Sequence, residues 1–576
     1  MIEDVYEPLG RYAGEFRRKF AGLAGEKFDE LTRLSGIDVE ANRALAAQTH
    51  ALERKCERAK TRKSLIAAAL AFAVAGALAC AFAALLGEGG MTFLPPWPAA
   101  RYWAIAAASA ALAAVLGVLC RDTGREVEAL EARIAEGRRK CGEQMAPLNA
   151  LFTWDIPVKL VEETVPRLRF DAYFTEARLA ELVSDFDWDA AFNYGKSIVC
   201  AQSGTINGNP FVFAHYVEQD WDEKTYTGTK TISWTETVRD ANGKLRRVRR
   251  TQTLVASVTK PVPVYPERKV LIYGNEAAPD LSFTHSPSGL NGEGGFFNAI
   301  KKAWRLRRLK AFSRNLKDES QFTLMGNHEF ETWFHAKDRD NEVEFRLLFT
   351  PMAQTQMLKL MKDSKTGFGD DFELRKRRRL NIVEPEHLAA APIDTDPRRY
   401  RGWDWQAVRE NFLGFTTSFF KNVYFSFAPL LAIPLYQQTR THRDIWREAL
   451  GAPPACFWEH EAAANLHGDR FFRAIDCATR CILKTRVASC GGGESDIAVT
   501  AHGFKGVKRV ERKSVYGGDG KWHDIAVEWI EYVPVANKRG MKLVESSEPP
   551  QTFLDEASLA GCSIAATRSI SSFVNR

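Results

Sequence analysis

The chain lacks the short signatures that announce a reaction. No G-x-x-x-x-G-K-[ST] loop, no G-x-S-x-G elbow and no G-x-G-x-x-G turn occurs, which removes the common phosphate-cradling, acyl-transfer and dinucleotide sites. Its ten cysteines include no C-x-x-C pair, so neither a secreted disulfide framework nor a zinc knuckle is indicated, and reduced thiols are expected. A large excess of one charge is also missing. A formal +7 over 576 residues gives no bulk electrostatic reason to bind nucleic acid. The first 60 residues are charged and amphipathic, so no signal peptide is expected.

Long hydrophobic runs are scarce, and two stand out. Leu65 to Leu86 gives 22 uncharged, apolar residues and Tyr102 to Cys120 gives 19, about 33 Å and 28 Å of helix, enough to span a bilayer core. The Gly/Pro-rich connector between them carries one basic residue, Arg101. Arg54, Lys55, Arg58, Lys60, Arg62 and Lys63 precede the first run, and Arg121, Arg125, Arg133, Arg138, Arg139 and Lys140 follow the second. The positive-inside rule then predicts an inner-membrane hairpin with two spans and both termini cytoplasmic. Ala69, Ala73, Ala77 and Ala81 at four-residue spacing suggest close helix packing, or merely an Ala-rich composition. Leu45, Leu52 and Ala59 upstream, and Val127, Leu130 and Ile134 downstream, suggest an antiparallel coiled stalk or an amphipathic pair docked on the soluble region.

A third greasy stretch, Val423 to Tyr436, has only 14 uncharged residues and contains Pro429 and Pro434. It is too short to span, and a buried strand with a Pro-bent connection is predicted. The expected fold is therefore α+β: a helical segment (1–63), a transmembrane hairpin (64–120), a return helix (121–150), a β-rich domain (151–290), a basic amphipathic helix (291–320), an α+β domain (321–450), a β-meander (451–546) and a tail (547–576).

Within that region a helix is read near Thr175 to Phe186. Two alternating runs flank Asn242-Gly243 and predict a hairpin whose return strand carries Lys244, Arg246, Arg247, Arg249 and Arg250, either a solvated edge or a ribbon aimed at something acidic. Residues 328–363 read as ββα, with Val343, Phe345, Leu347 and Phe349 on one strand face and a helix started by Thr350-Pro351. Cys477 to Val535 reads as a meander.

Three sites are considered. F-T-L-M-G-N-H-E resembles one box of the metallophosphoesterases, in which Asn327 and His328 would bind metal, but the upstream carboxylate boxes that family needs are absent. His460 and His467, near Cys456, Glu461, Cys477 and Cys481, form a weak zinc pattern that lacks H-E-x-x-H. Asp370-Asp371 and Asp519 read as solvated turns. Lys301, Lys302, Arg305, Arg307, Arg308 and Lys310, interleaved with Phe297, Ile300, Trp304, Leu309 and Phe312, describe a helix that either lies on an anionic leaflet or packs by its apolar side on the domain.

The blocks T-G-T-K-T-I-S-W-T-E-T, T-Q-T-L-V-A-S-V-T-K-P, L-I-Y-G-N-E-A-A-P-D-L-S-F, F-T-L-M-G-N-H-E-F-E, E-F-R-L-L-F-T-P-M-A-Q, Y-F-S-F-A-P-L-L-A-I-P-L-Y-Q-Q-T and G-G-D-G-K-W-H together resemble an uncharacterised bacterial membrane-protein family. That resemblance implies an N-terminal membrane hairpin and a large soluble region, and no activity. The expectation is a non-catalytic membrane protein without cofactor, whose partners are the bilayer, another protein or, through the stalk, itself. The alternative is a membrane-anchored enzyme of unrecognised type, with Tyr273 to Asp280 or Asn327 to Glu329 lining its pocket. Nucleic acid, through Lys244 to Arg250 and Arg375 to Arg379, is not the expected partner.

Overall fold

The structure, a computed structural model, describes residues 6–86, 98–239, 245–290, 296–313, 322–440, 454–491, 494–546, 553, 557, 562–567 and 570–574. It is mixed helix and strand, with a long helical N-terminal region and a strand-rich C-terminal region. The chain divides into two compact units, one of residues 24–153 with 397–415 and one of residues 1–23, 154–396 and 416–576.

The chain opens with α1 (Pro8–Arg11), a π-helical turn and α2 (Arg17–Ser35), followed by the two longest helices, α3 (Val39–Leu86) and α4 (Ala99–Leu151). Both apolar runs lie inside these helices, which are long and apolar enough to cross a membrane. The least exposed positions of α3 recur at Asn42, Thr49, Cys56, Leu70, Ala77 and Ala84, each seven or fourteen residues from the last; those of α4 recur at Ala106, Ala113, Cys120, Val127, Ile134, Cys141 and Leu148. A seven-residue period, interrupted in α3 at the exposed Lys63, keeps one seam facing the partner in both the charged and the apolar parts, as in a left-handed antiparallel coiled coil. Cys56, Ala59 and Val127 form a buried cluster flanked by Leu130 and Ile134. Ion pairs Lys60–Glu131 (3.0 Å) and Arg138–Glu53 (2.7 Å) bracket it. At Gly137 a β-carbon would meet the Thr49 hydroxyl at 2.5 Å, so the helices touch there through a missing side chain.

Of the small residues expected at four-residue spacing, Ala73, Ala77 and Ala81 are half-buried and Ala69 is not. Phe72 is 80% exposed, and Leu65, Leu78 and Leu85 are similarly open, an outward apolar surface. At the other end Phe28, Phe152, Tyr400, Trp405 and Phe412 interlock, and Asn42 accepts the Trp405 N–H (3.0 Å) and donates to the Trp403 carbonyl (3.3 Å).

The second unit continues with α5 (Ile156–Thr164), β1 (Leu168–Phe170), α6 (Glu176–Phe186), β2 (Lys196–Ile206), β3 (Asn209–Glu218), β4 (Asp220–Arg239), β5 (Leu245–Val264), β6 (Glu267–Gly274), β7 (Ser282–His285), α7 (Phe296–Ser313), α8 (His328–Phe334), α9 (Glu342–Leu348), α10 (Pro351–Lys362), β8 (Phe372–Arg377) and β9 (Leu380–Pro385). After α11 (Trp405–Leu431) come α12 (Phe457–His467), β10 (Ile482–Gly491), β11 (Glu494–Tyr516), β12 (Trp522–Val544), β13 (Ser563–Ala566) and β14 (Ser571–Val574).

Seven antiparallel strands, ordered β1-β2-β3-β6-β9-β8-β7, form the main sheet, and β10-β11-β12-β14-β13 form a second. Helix α12 serves both cores: Trp458 joins Phe174, Phe186, Trp188 and Val212 on the first, and Ala463 and Ala464 join Leu483, Val499 and Met541 on the second. The expected meander is present. The long β4–β5 ribbon packs on β12 through Ile232, Leu254, Ala256, Ile525 and Val527, and Gly228 lets the backbones meet, since a β-carbon there would strike the Ala526 carbonyl. The turn Asn242-Gly243 and Lys244 lie outside the described residues.

Several expectations are corrected. Val423 to Tyr436 is buried as expected, yet it is the end of α11 and a short 3-10 turn rather than a strand. Every residue from Asn422 to Ile433 is buried, because Phe427 meets Phe211 and Phe213 of the main sheet while Tyr424 meets Tyr12 and Phe16 from the N-terminus. A segment covered all round is apolar all round, and its periodicity is erased. Residues 328–363 are three helices rather than ββα. Asn327, Asn341 and Thr350 cap α8, α9 and α10 by accepting the N–H groups of Phe330, Glu344 and Ala353, and capping fixes the helical choice locally. Phe345, Leu348 and Phe349 face inward while Val343 is 78% exposed, a spacing of three and four rather than two.

Candidate membrane-surface site

Helix α7 carries the six expected surface cations. It packs by one side: Leu309 is fully buried, and Phe312 contacts Phe322 at 5.4 Å between ring centroids. Arg305 also points inward, donating to the carbonyls of Ser288 (2.9 Å) and Thr332 (3.2 Å). Burial away from water holds its pKa below the ordinary arginine value. Lys302 Nζ lies 5.1 Å from the Trp333 ring and the Arg308 guanidinium 4.7 Å from Trp304. The other side of the helix keeps Ile300 51% and Trp304 59% exposed, beside Lys301, Arg307 and Lys310, also exposed. Among the described residues none of these six cations pairs with a carboxylate, although ion pairs are plentiful elsewhere in the unit, as at Arg178–Glu181 and Arg440–Glu181.

The expected metal candidates do not converge. His328 is exposed at the start of α8, and Asn327 is occupied as its cap. The following Glu329 pairs with Lys362 (2.8 Å). His460 and His467 are buried on α12. His467 sits between the hydroxyls of Ser563 (3.3 Å) and Ser572 (3.0 Å), and burial pushes both imidazoles down to about 4. Among the described residues no three His, Cys, Asp or Glu side chains gather as a metal would require. Cys477 and Cys481 lie 3.5 Å apart, sulfur to sulfur. Burial, then the neighbouring thiol, pushes Cys481 up to about 12.

A cleft of about 880 Å³ opens between α8 and α10, lined by Glu329, Lys359, Lys362, Asp363, Lys365 and Thr366 among others. Its carboxylates are committed. Glu329 holds Lys362, and Asp363 accepts the N–H groups of Lys365 and Thr366 (2.8 Å each). Tyr273, at the start of the other suggested pocket segment, is buried, donating to the Tyr436 carbonyl (2.9 Å) and accepting from Asn275 (3.1 Å).

Two arrangements escaped the sequence. Asp370 and Asp371 are gripped rather than solvated. His285 Nε2 meets Asp370 at 3.0 Å, and His387 Nδ1 meets Asp371 at 2.5 Å. Each ring stacks on a phenylalanine, Phe334 or Phe368, and each remaining nitrogen faces a carbonyl, of Phe334 or Asn422. The partners stand 85 and 16 residues apart, beyond any local spacing rule. Arg339 is the second. It is wholly buried, bound in a fork to Glu331, paired with Glu342 (2.5 Å), and held between the rings of Phe322 and Phe345, each 4.2 Å away. This hub ties α8, α9 and the segment before α8, through the Thr323 carbonyl, together with charge-assisted hydrogen bonds.

No family model, curated protein or solved structure matches the chain, so the arrangement of its own residues is what bears on its activity.

Proposed function

We propose that the chain is a non-catalytic, two-span bacterial inner-membrane protein whose large α+β unit is a cytoplasmic binding module, with α7 as its contact to the anionic leaflet. One observation carries the reading: Lys301, Lys302, Arg305, Arg307, Arg308 and Lys310 have no carboxylate partner among the described residues, and Ile300 and Trp304 lie exposed beside them. Basic groups near an anionic leaflet gain about 1 kcal/mol each, and exposed Trp and Ile favour the headgroup boundary. The basic flanks of both apolar helices support a cytoplasmic placement for the termini and the unit that follows. The outward residues of the spans, such as Phe72 and Leu78, are left for lipid or a second copy of the chain.

Hydrogen exchange of the full chain in nanodiscs tests the surface contact. The α7 amides are expected to exchange more slowly with phosphatidylglycerol than with phosphatidylcholine alone, and to lose that protection at high salt. Equal exchange in both lipids overturns the contact. A stoichiometric metal retained after purification from native membranes would instead favour the enzyme.

A further inference from the structure

The β4–β5 ribbon is a sheet of two strands only, paired along its whole length from Asp220 with Val264 to Arg239 with Leu245. Both strands are therefore edges, and the two edges differ. β5 carries Pro261 and Pro263, which lack the N–H that a further strand would need. β4 has no proline from Asp220 to Arg239, and among the described residues its backbone along 225–239 bonds to β5 alone. So long an unguarded edge is a template for another strand. Its composition suits that use. A threonine or serine stands at every second position from Thr225 to Thr237, on the opposite side of the ribbon from Tyr226, Ile232 and Trp234, which pack toward β12. Thr225 and Thr231 meet the hydroxyls of Thr259 and Thr253 across the strands (3.1 and 3.3 Å). Between Thr225 and Thr235 the one charged residue is Lys230, which turns to the Asp524 carbonyl (3.4 Å). High β-propensity with little charge and no proline favours strand addition.

Charge selects the occupant. The start of β4 carries Asp220, Asp222 and Glu223, all exposed and in no ion pair among the described residues. At the other end the Gly518 N–H donates to Gln252 (2.8 Å), so the β11–β12 turn lies over the Ile232 and Gln252 pair, and strand residues 235–239 and 245–250 run past it. The stretch 235–250 holds six Lys or Arg against Glu236 and Asp240. A second copy laid parallel would set like charges together. Laid antiparallel, it sets the acidic start of each β4 against the basic far end of the other, a self-complementary two-fold contact. We propose that β4 is a contact between two copies of this chain, paired antiparallel edge to edge so that two ribbons join into one four-stranded sheet. The contact uses neither α7 nor the spans, so it stands or falls apart from the membrane-surface reading.

The full chain is reconstituted in phosphatidylcholine liposomes at a low and a high protein density, and hydrogen exchange of the 225–238 amides is followed. The outward N–H groups of β4 are expected to exchange at least about 10-fold more slowly at the high density. Asp220→Lys, Asp222→Lys and Glu223→Lys together make the ribbon basic at both ends, and Arg246→Glu, Arg247→Glu and Arg249→Glu together make it acidic at both. Each set alone is expected to lose the slowing, and the two variants mixed in one liposome to regain it, which association through the spans would not do. Exchange at the low density, where each variant should match the native chain, controls for the fold of the ribbon; the single changes Asp222→Lys and Arg247→Glu, expected to act in the same directions, serve where a triple set disturbs it. Equal exchange of the native chain at both densities overturns the proposal, as does slowing that survives both charge sets or fails to return in the mixture. Slowing found only in native membranes, and never with the pure chain, also overturns it by giving the edge to a different protein.

Discussion

Residues 301–310 and 375–379 are both dense in Lys and Arg, yet the protein treats them in opposite ways. The second run is absorbed into the β8–β9 hairpin. Arg375 pairs with Glu373 (3.0 Å) and Glu384 (3.3 Å), Lys376 is fully buried and donates to the carbonyls of Ala277 and Arg378, and Arg379 donates to the Asp185 carbonyl. This is a structural use of charge. The first run has no acidic residue between Phe296 and Ser313 and forms no ion pair among the described residues. The contrast teaches that a basic run becomes structure when carboxylates or carbonyls stand in register with it, and remains a surface when they do not.

The largest expected effect breaks the structural side of this contrast. Arg339→Met leaves Glu331 buried without its cation and should cost about 3–5 kcal/mol, read as a fall in the urea midpoint of the α+β unit. Lys376→Met sharpens it through pH. Burial pushes the Lys376 ammonium down to about 7, well below the ordinary lysine value, so between pH 7 and 10 the folded state binds fewer protons than the unfolded one and stability rises with pH. The slope is at most about 1.4 kcal/mol per pH unit. Comparing native and Lys376→Met unfolding from pH 7 to 9.5, below the range where the raised Tyr273 and Tyr436 titrate, should show a steeper rise in the native chain, since the lowered Lys196 and Lys484 act alike in both. An identical slope in both would refute the buried-ammonium account.

On the surface side, replacing Lys301, Arg307 and Lys310 together by Gln should leave the thermal midpoint within about 0.5 kcal/mol of native while removing the salt-sensitive protection by phosphatidylglycerol. The smallest effect comes from supplying the missing acid. Ala303→Glu places a carboxylate four residues before Arg307 on the exposed side, which should stabilise the helix by roughly 0.3–0.5 kcal/mol and weaken the lipid contact. Stronger lipid contact in that variant would contradict the reading of α7 as an electrostatic surface.

Legibility from sequence differed between the two units for a physical reason. In α3 and α4 one neighbour covers one stripe, so the seven-residue period survives in Cys56, Ala59, Val127 and Ile134. In α9 the alternation of Val343, Phe345, Leu347 and Phe349 imitated a strand, and the decisive information was the single Asn341 cap. In α11 cover on every side removed the periodic signal altogether. The candidate site was half legible: the cations and aromatics of α7 were visible as a pattern, whereas the turning of Arg305 inward and of Lys302 onto Trp333 arises only from packing against α8.

The sequence by itself determined the two helices able to span a membrane, the ribbons and meander, and the α+β class, because each follows from a local period of apolar residues or from turn chemistry. Only the tertiary structure decided that Val423 to Leu431 is helix, that Asp370 and Asp371 hold His285 and His387, and that Lys376 is buried while Lys301, Arg307 and Lys310 are exposed. Those outcomes depend on partners tens or hundreds of residues away, where desolvation of a charge is favourable or costly according to what the fold brings beside it.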